Sequence, residues 1–82
     1  MRHLLNTLFV TSEDAYLTLD GENIVVKREQ TEVGRFPLHN LSGIVCFSYA
    51  GASPALMGAC AARGVGLAFC SPRGKFLARV AG

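Results

Sequence analysis

Residues 53–64 constrain the fold most, because this segment alone carries both a start and a stop signal for a helix. Ser53 can cap the first turn through its side-chain oxygen, and Pro54 suits the first helical position, where no amide hydrogen is needed. Gly64 suits the left-handed residue that follows a helix. The pattern predicts a strand, a crossover helix and a second strand parallel to the first. The two strands are the apolar runs 43–47 and 65–70.

The rest of the chain has strand and turn patterns. Asp20-Gly21 separates two runs rich in strand-forming residues, which is a strong hairpin signal. Residues 71–74, with proline second and glycine fourth, are typical of a type I turn. We predict a β-rich α+β fold with one helix and two small sheets: an antiparallel meander in the first half, and the strand-helix-strand crossover with a closing hairpin. The predicted strands are 4–11, 15–19, 23–28, 32–36, 43–47, 65–70 and 75–80.

The composition indicates one small domain with a surplus of apolar surface. The chain has 82 residues, of which 50% are hydrophobic and only 17% are charged. Domains of this size bury a thin core, so part of the apolar surface is expected to meet a partner. No apolar run approaches the roughly 20 residues of a membrane span, and the first residues lack the apolar core of a signal peptide. We expect a soluble, cytoplasmic chain that does not engage a membrane.

The cysteines and histidines do not form a ligand pattern. Cys46, Cys60 and Cys70 lie inside apolar segments, as expected of buried thiols in a reducing compartment. A zinc site is the alternative, but there is no C-x-x-C spacing, and neither His3 nor His39 stands at a ligand-like distance from a cysteine. We therefore predict no metal-binding residue.

No catalytic constellation is visible either. All six acidic residues lie within the first 32 positions, mostly in predicted turns or at strand ends, far in sequence from Cys46, Cys60 and Ser71. Gly64-Val-Gly66 follows a helix instead of opening one, so it suits a helix stop better than a nucleotide-binding loop. We therefore predict no catalytic residue.

Positive charge is concentrated in the later part of the chain. Residues 33–82 contain five lysines and arginines and no acid. Such a region can bind phosphate, or its cations can simply be solvated. The turn at 71–75 could present backbone amides and two cations to a phosphate. Tyr16 and Tyr49 could stack on a base, although a tyrosine at such a position is more often a packing residue.

Four runs carry a resemblance to a known family: 4–10, 36–47, 53–57 and 61–80. The last of them is the most specific and reads AARGVGLAFCSPRGKFLARV. On these runs the chain resembles the N-terminal domain of the CRISPR-associated integrase, the Cas-one (Cas1) family. It is most similar to the branch that accompanies type I subtype C systems.

The resemblance implies that residues 1–82 are a β-rich N-terminal domain and that the chain is a fragment ending at a linker. In that family a larger helical domain follows and carries the metal-binding Glu, His and Asp. The parent would then be a metal-dependent DNA endonuclease and integrase that uses Mg²⁺ or Mn²⁺. The fragment would have no cofactor and no activity of its own.

The resemblance also implies partners. Family members form homodimers through this domain, and two such dimers flank a dimer of the small Cas-two protein (Cas2) on double-stranded DNA with fork-like ends. We place the dimer face on the meander strands and on the edge near residues 65–70. Some relatives cap the DNA end with a tyrosine after the first strand; here the loop 11–14 has none. The expected DNA contacts are Arg63, Arg73, Lys75, Arg79 and, as the nearest aromatic residue, Tyr16.

A second function remains open, namely a purely structural oligomerisation module that does not contact nucleic acid. In that case the basic residues of positions 63–79 should be spread over several faces instead of forming one patch.

Overall fold

The computed structural model describes the backbone of residues 2–4 and 6–81 and the side chains of residues 6–81. These residues form two sheets and one α-helix, which confirms the predicted β-rich α+β fold. Leu5, in the predicted first strand, and the side chain of His3 lie outside the described residues. The elements are β1 (Arg2–Leu4), β2 (Thr7–Val10), β3 (Tyr16–Asp20), β4 (Asn23–Arg28), β5 (Thr31–Pro37), the 3-10 helix η1 (Leu38–Asn40), β6 (Gly43–Cys46), α1 (Pro54–Arg63), β7 (Gly66–Cys70) and β8 (Phe76–Val80).

The larger sheet has a parallel centre and antiparallel edges. Its strand order is β1-β2-β6-β7-β8, and β2, β6 and β7 run parallel while β1 and β8 run against them. The register aligns Leu8 with Ile44 and Ile44 with Leu67. All three side chains are at most 1% exposed, so they form one continuous apolar row across the parallel strands. The predicted strand-helix-strand crossover and closing hairpin are confirmed.

Helix α1 begins and ends where its sequence signals place it. Ser53 Oγ accepts a hydrogen bond from the Leu56 amide at 3.2 Å, and Pro54 occupies the first turn. Gly64 follows the helix with φ +69°, and its amide hydrogen-bonds back to the last turn. Leu56 and Cys60, four residues apart, are fully buried and fasten the helix to the core.

The smaller sheet is the antiparallel meander β3-β4-β5. Two-residue loops join its strands. Gly21, with φ +59°, opens the first loop, whereas Glu29 and Gln30 occupy the second with φ +50° and +67°. Positive φ at both loop positions belongs to the type I′ turn, which usually selects glycine or asparagine. The second hairpin therefore carries backbone strain that the first avoids.

The expectation that the first strand belongs to this meander is wrong. Strand β2 lies in the larger sheet and pairs in parallel with β6. The physical reason is its burial on both faces: Leu8 and Val10 are fully buried, while Thr7 and Phe9 are half-buried. A short strand that is buried or half-buried on both faces suits the interior of a parallel sheet better than a half-exposed meander.

Leu17 ties the smaller sheet to the segment that precedes α1. Its amide donates to the carbonyl oxygen of Gly51 at 3.0 Å, and its own carbonyl oxygen accepts from the Ser53 amide at 2.8 Å. The outer edge of β3 is thus bridged at Leu17, and both sheets and the helix close around one core. No helix in the described part of the chain is long and apolar enough to cross a membrane. The core side chains include Leu8, Val10, Leu17, Ile24, Val26, Leu38, Ile44, Cys46, Leu56, Cys60 and Leu67.

Two loop substitutions should change stability in opposite directions. We expect Gln30→Gly to raise the free energy of unfolding by about 0.5 kcal/mol, because glycine adopts the left-handed backbone conformation without a steric cost. The extra conformational entropy that glycine gives the unfolded chain offsets only part of this gain. Gly21→Ala should lower it by about 1 kcal/mol; a Cβ there meets no atom within 4 Å, so the cost is conformational. Urea denaturation measures both. A loss of stability in Gln30→Gly would contradict the assignment of strain to this loop.

Candidate nucleic-acid interface

The carboxyl ends of the parallel strands meet at one edge of the larger sheet. The loops that follow β2, β6 and β7 leave from there, and we call this group of loops, residues 11–15, 47–53 and 71–75, the carboxyl edge. In open sheets with parallel strands, ligands bind outside this end of the strands, because loops from neighbouring strands converge there. A binding site on this sheet is therefore expected at the carboxyl edge.

Ser48 joins the first two loops of the carboxyl edge. Its hydroxyl is 1% exposed and lies 2.9 Å from the carbonyl oxygen of Glu13 and 2.8 Å from that of Ala15. The same oxygen accepts a hydrogen bond from the Ala50 amide at 3.1 Å. One buried hydroxyl thus satisfies backbone groups of two loops and sets their relative position.

The third loop is closed by its own hydrogen bonds. The Ser71 amide donates to the Lys75 carbonyl oxygen at 2.7 Å, the Lys75 amide donates to Ser71 Oγ at 3.0 Å, and the Gly74 amide donates to the Ser71 carbonyl oxygen at 2.8 Å. Ser71 is nearly buried, whereas Arg73 and Lys75 are exposed. The turn therefore presents two cations from a fixed backbone.

A shallow hollow opens between these loops. Its lining includes Tyr49 from the second loop and Arg73 from the third. Tyr49 is 73% exposed, more than any other large apolar side chain in the range 6–81. Proteins that bind single-stranded nucleic acid combine such groups: an aromatic ring stacks on a base, and an arginine binds a phosphate. The full lining is Glu13, Tyr49, Ser71, Pro72 and Arg73.

The basic residues expected to contact DNA do not form one patch. Arg63 ends α1, and its Nη2 lies 2.6 Å from Glu22 Oε1 in the β3–β4 loop. It precedes β7, whereas Arg73 follows β7, so the two side chains lie at opposite ends of that strand. The structure brings Arg73 and Lys75 together at the carboxyl edge and leaves Arg63 in an ion pair elsewhere.

Arg79 lies on the face of the larger sheet that is turned away from the core. It stands opposite Ala68, while its neighbour Val80 stands opposite the buried Leu67. Among the residues that the structure describes, neither Arg79 nor Arg73 has a carboxylate within ion-pair distance. Both are therefore available to an external anion.

Tyr16 occupies a different hollow, on the outer side of the smaller sheet. It is 37% exposed and stands opposite Lys27. Asp14 and Glu29 also line this hollow. Asp14 Oδ1 accepts from Arg28 Nε at 2.8 Å, and this hydrogen bond lowers the pKa of the Asp14 carboxyl, which keeps it charged. With Lys27 in its lining and Arg28 paired to Asp14, this surface has no net charge, so it is less favourable to phosphate than the turn that carries Arg73 and Lys75.

Arg35, a further cation of the later part of the chain, is neutralised by two acids. It donates to both carboxylate oxygens of Glu32, at 3.0 and 2.9 Å, and to Asp20 at 2.8 Å. These hydrogen bonds raise the pKa of the Arg35 guanidinium and lower that of the Glu32 carboxyl. Arg35 therefore forms its ion pairs within the smaller sheet and is not a free cation for phosphate.

The thiols and acids of the described residues offer no metal centre. Burial raises the pKa of the Cys46 thiol to about 11 and also raises the pKa of the Cys60 thiol, so both stay protonated at neutral pH. All three cysteines are free. No group of three or more His, Cys, Asp and Glu side chains within the described residues converges as metal ligands would. These donors do not fit a Mg²⁺ or Mn²⁺ site.

The fold and the carboxyl edge define a class: a small α+β domain with a parallel three-strand centre and a loop edge that carries an exposed tyrosine and two cations that are unpaired among the described residues. Comparison with known proteins identifies the family. The profile described as CRISPR associated protein Cas1 matches residues 8–82, and the chain belongs to the Cas1 family.

Two curated relatives support this assignment over the whole chain. The chain is 44% identical to CRISPR-associated endonuclease Cas1 1 of Chlorobaculum tepidum and 45% identical to CRISPR-associated endonuclease Cas1 2 of Rhodospirillum rubrum. Each match covers 100% of this chain and 24% of the relative. The chain therefore spans about a quarter of the length of these endonucleases.

Solved structures share the fold. A partial Cas6-RT-Cas1–Cas2 complex superposes with a TM-score of 0.80 at 14% identity, over 93% of this chain and 23% of the other. A Cas1 protein from Thermotoga maritima gives 0.76 at 12% identity, over 92% and 24%. A casposase bound to its integration product gives 0.65 at 14% identity, over 90% and 23%.

The thiols should differ sharply in reactivity. We expect iodoacetamide to label Cys70, which is half-buried, and to leave Cys46 and Cys60 unmodified in the folded protein, because both are fully buried with raised pKa values. All three should react in urea, which serves as the control. Peptide mass spectrometry locates the labels. Rapid labelling of Cys46 without denaturant would contradict the described core.

Proposed function

We propose that the chain is the N-terminal dimerisation and DNA-positioning domain of a CRISPR spacer-acquisition integrase, in the branch of type I subtype C systems. The main support for this proposal is that the chain belongs to the Cas1 family. The pair Arg73 and Lys75 on a closed turn at the carboxyl edge supplies the phosphate contacts, and Arg79 adds a third. The protein acts in the cytoplasm, where its DNA substrate lies.

The parent protein is a metal-dependent DNA endonuclease and integrase, and this domain alone is inactive. Relatives named as endonucleases support the first part. The described residues have no donor set for Mg²⁺ or Mn²⁺, so the catalytic metal would be held by the helical domain that we expect in the remaining length of the relatives. Here the protein's own residues bind and orient DNA and take no part in the bond exchange.

Cas2 is the proposed protein partner in the assembled complex. The support is the likeness of the fold to a chain in a Cas6-RT-Cas1–Cas2 complex. In that assembly the domain would pair with a second copy of itself and hold double-stranded DNA with fork-like ends between the two Cas1 dimers.

We place the self-pairing surface on β8. Strand β7, where we expected an edge, is interior, and β8 ends the sheet. Phe76 is 59% exposed and Leu77 is 44% exposed, and β8 has no acidic residue. Edge strands that must stay unpaired usually carry charges, as β5 does with Glu32 and Arg35. Strand β8 carries one charge, Arg79, and its other side chains are apolar, so it suits pairing with the same strand of a second copy better than β5 does.

Charges on β8 should therefore weaken the dimer. We expect Phe76→Lys with Leu77→Lys to raise the dimer dissociation constant at least tenfold, because pairing would bury two cations. Sedimentation equilibrium over a concentration series measures it. Val33→Lys is the matched control, since Val33 is 45% exposed on the charged strand β5. A wild-type chain that stays monomeric throughout, or an unchanged double variant, would contradict pairing through β8.

Phosphate binding should depend on the carboxyl edge and not on α1. In the full-length protein we expect Arg73→Ala with Lys75→Ala to reduce the slope of log affinity for duplex DNA against log salt by about 2, since each phosphate contact contributes about 0.9. Arg63→Ala should leave the slope unchanged, because Arg63 is already paired with Glu22. Fluorescence anisotropy in a salt series measures both, and equal slopes for all three proteins would exclude these contacts.

The second candidate is a purely structural oligomerisation module. The separation of Arg63 from Arg73 by the length of β7 favours it, because a DNA-binding face usually gathers its cations. The two functions differ in one observable: the structural module forms the β8 dimer yet binds no DNA at low salt.

A further inference from the structure

A second group of loops lies at the other end of the parallel strands, opposite the carboxyl edge. We call these residues, 6, 38–42 and 63–65, the amino edge, because they precede β2, β6 and β7. We propose that the amino edge binds an extended acidic peptide segment of a partner protein, whose carboxylate takes the place of Glu22 at the Arg63 guanidinium. This site goes beyond the proposed DNA-positioning function and does not depend on it.

The backbone of the amino edge is fixed by hydrogen bonds between its loops. The Asn6 carbonyl oxygen accepts from the amides of Ser42 at 2.8 Å and Gly43 at 3.3 Å. The Ser42 carbonyl oxygen accepts from the Gly66 amide at 3.0 Å. These bonds join the starts of three neighbouring strands. A ligand therefore has to order side chains and not loops, which keeps the entropic cost of binding small.

Two adjoining hollows follow this edge and share His39 and Leu41 in their linings. The rim of the first hollow is polar, with the exposed side chains of Asn6, Asn40 and Ser42. Among the described residues, these three side chains have no hydrogen-bond partner. Amide and hydroxyl groups both donate and accept, so they match the alternating donors and acceptors of a peptide main chain.

The second hollow combines an apolar floor with one arginine. Leu38, Leu41 and Val65 form the floor, and Arg63 lines its side. Among the described residues, no acidic side chain lines either hollow. The lining therefore complements a segment with an apolar side chain and a carboxylate. It suits nucleic acid less well, because a phosphate backbone is usually bound by a cluster of cations.

A carboxylate of the protein itself already occupies this arginine. Glu22 Oε1 lies 2.6 Å from Arg63 Nη2, and the Glu22 side chain is 71% exposed on the two-residue loop between β3 and β4. Exposed ion pairs contribute little to stability, because water screens them. An external carboxylate can therefore replace Glu22 at small cost.

The contact between Arg63 and Glu22 also leaves room for a better partner. Arg35 donates hydrogen bonds to both carboxylate oxygens of Glu32, whereas among the described residues Arg63 and Glu22 form an ion pair without such hydrogen bonds. A carboxylate that accepts two parallel hydrogen bonds from a guanidinium is held more strongly than one in a single contact. A ligand that approaches along the amino edge is free to adopt that geometry.

The width of the amino edge sets the length of the segment. Neighbouring strands lie about 4.8 Å apart, so the starts of β2, β6 and β7 span about 10 Å. An extended peptide rises about 3.3 Å per residue, so about three residues cross this distance. A probe of five residues therefore covers both hollows.

The experiment uses the full-length protein and two rhodamine-labelled peptides with amidated carboxyl ends. One is Glu-Leu-Ala-Leu-Glu, in which an acid at each end lets either direction of binding bring a carboxylate to the arginine. The other, Gln-Leu-Ala-Leu-Gln, has nearly the same shape without the charge. Fluorescence anisotropy measures both dissociation constants. The variants are Glu22→Gln, Arg63→Ala and the double variant Asn6→Ala with Ser42→Ala, and the matched controls are Asp14→Asn and Arg28→Ala, which alter another exposed ion pair.

We expect Glu22→Gln to bind the acidic peptide about fivefold more tightly than wild type, because the competing carboxylate is gone. Arg63→Ala should bind both peptides equally. Asn6→Ala with Ser42→Ala should weaken the binding of both peptides about tenfold, since these side chains contact the main chain. Both controls should behave as wild type, and circular dichroism of each variant checks folding.

Three results would overturn the inference. If wild type and Glu22→Gln bind neither peptide at millimolar concentration, the amino edge is not a peptide site. If Arg63→Ala keeps the preference for the acidic peptide, the carboxylate binds elsewhere. If Glu22→Gln instead steepens the salt dependence of duplex DNA binding, the ligand of Arg63 is a phosphate of nucleic acid. None of these results alters the contacts proposed for Arg73 and Lys75, so the two proposals fail separately.

Discussion

The parallel pairing of β2, β6 and β7 is the constraint on which the rest of the domain depends. It aligns Leu8, Ile44 and Leu67 in one buried row. This row belongs to the hydrophobic core, against which α1 and the smaller sheet pack. Parallel strands need a crossover connection, so the pairing of β6 with β7 requires the helix between them. Losing this row would therefore separate both sheets and not only weaken one of them.

The same pairing creates the carboxyl edge, where the proposed DNA contacts lie. Since three strands run in one direction, their following loops converge, and a single buried hydroxyl, that of Ser48, holds two of these loops together. The ring of Tyr49 and the guanidinium of Arg73 are then presented from loops that the fold has already ordered. Under the proposed function, the loops that are fixed for packing also offer DNA a preorganised surface.

Local signals in the sequence were sufficient for the helix and the hairpins. Ser53, Pro54 and Gly64 marked α1, and Asp20-Gly21 marked a hairpin, because capping and turn chemistry involve only neighbours in the chain. The partner of β2 was not predictable in this way, and the prediction that placed it in the meander was wrong. A short buried strand can pair with any distant strand that completes a buried face, and its own four residues do not indicate which strand that is. Here the partner is β6.

By itself the sequence determined the type and order of most elements and the family resemblance, which comparison confirmed at the level of Cas1. The tertiary structure alone decided which cations are free. Arg63 is paired with Glu22 from another element, whereas Arg73 stays open beside Tyr49. The physical reason is that an ion pair or a shared hollow depends on distances between remote residues, and those distances exist only after the parallel strands have assembled.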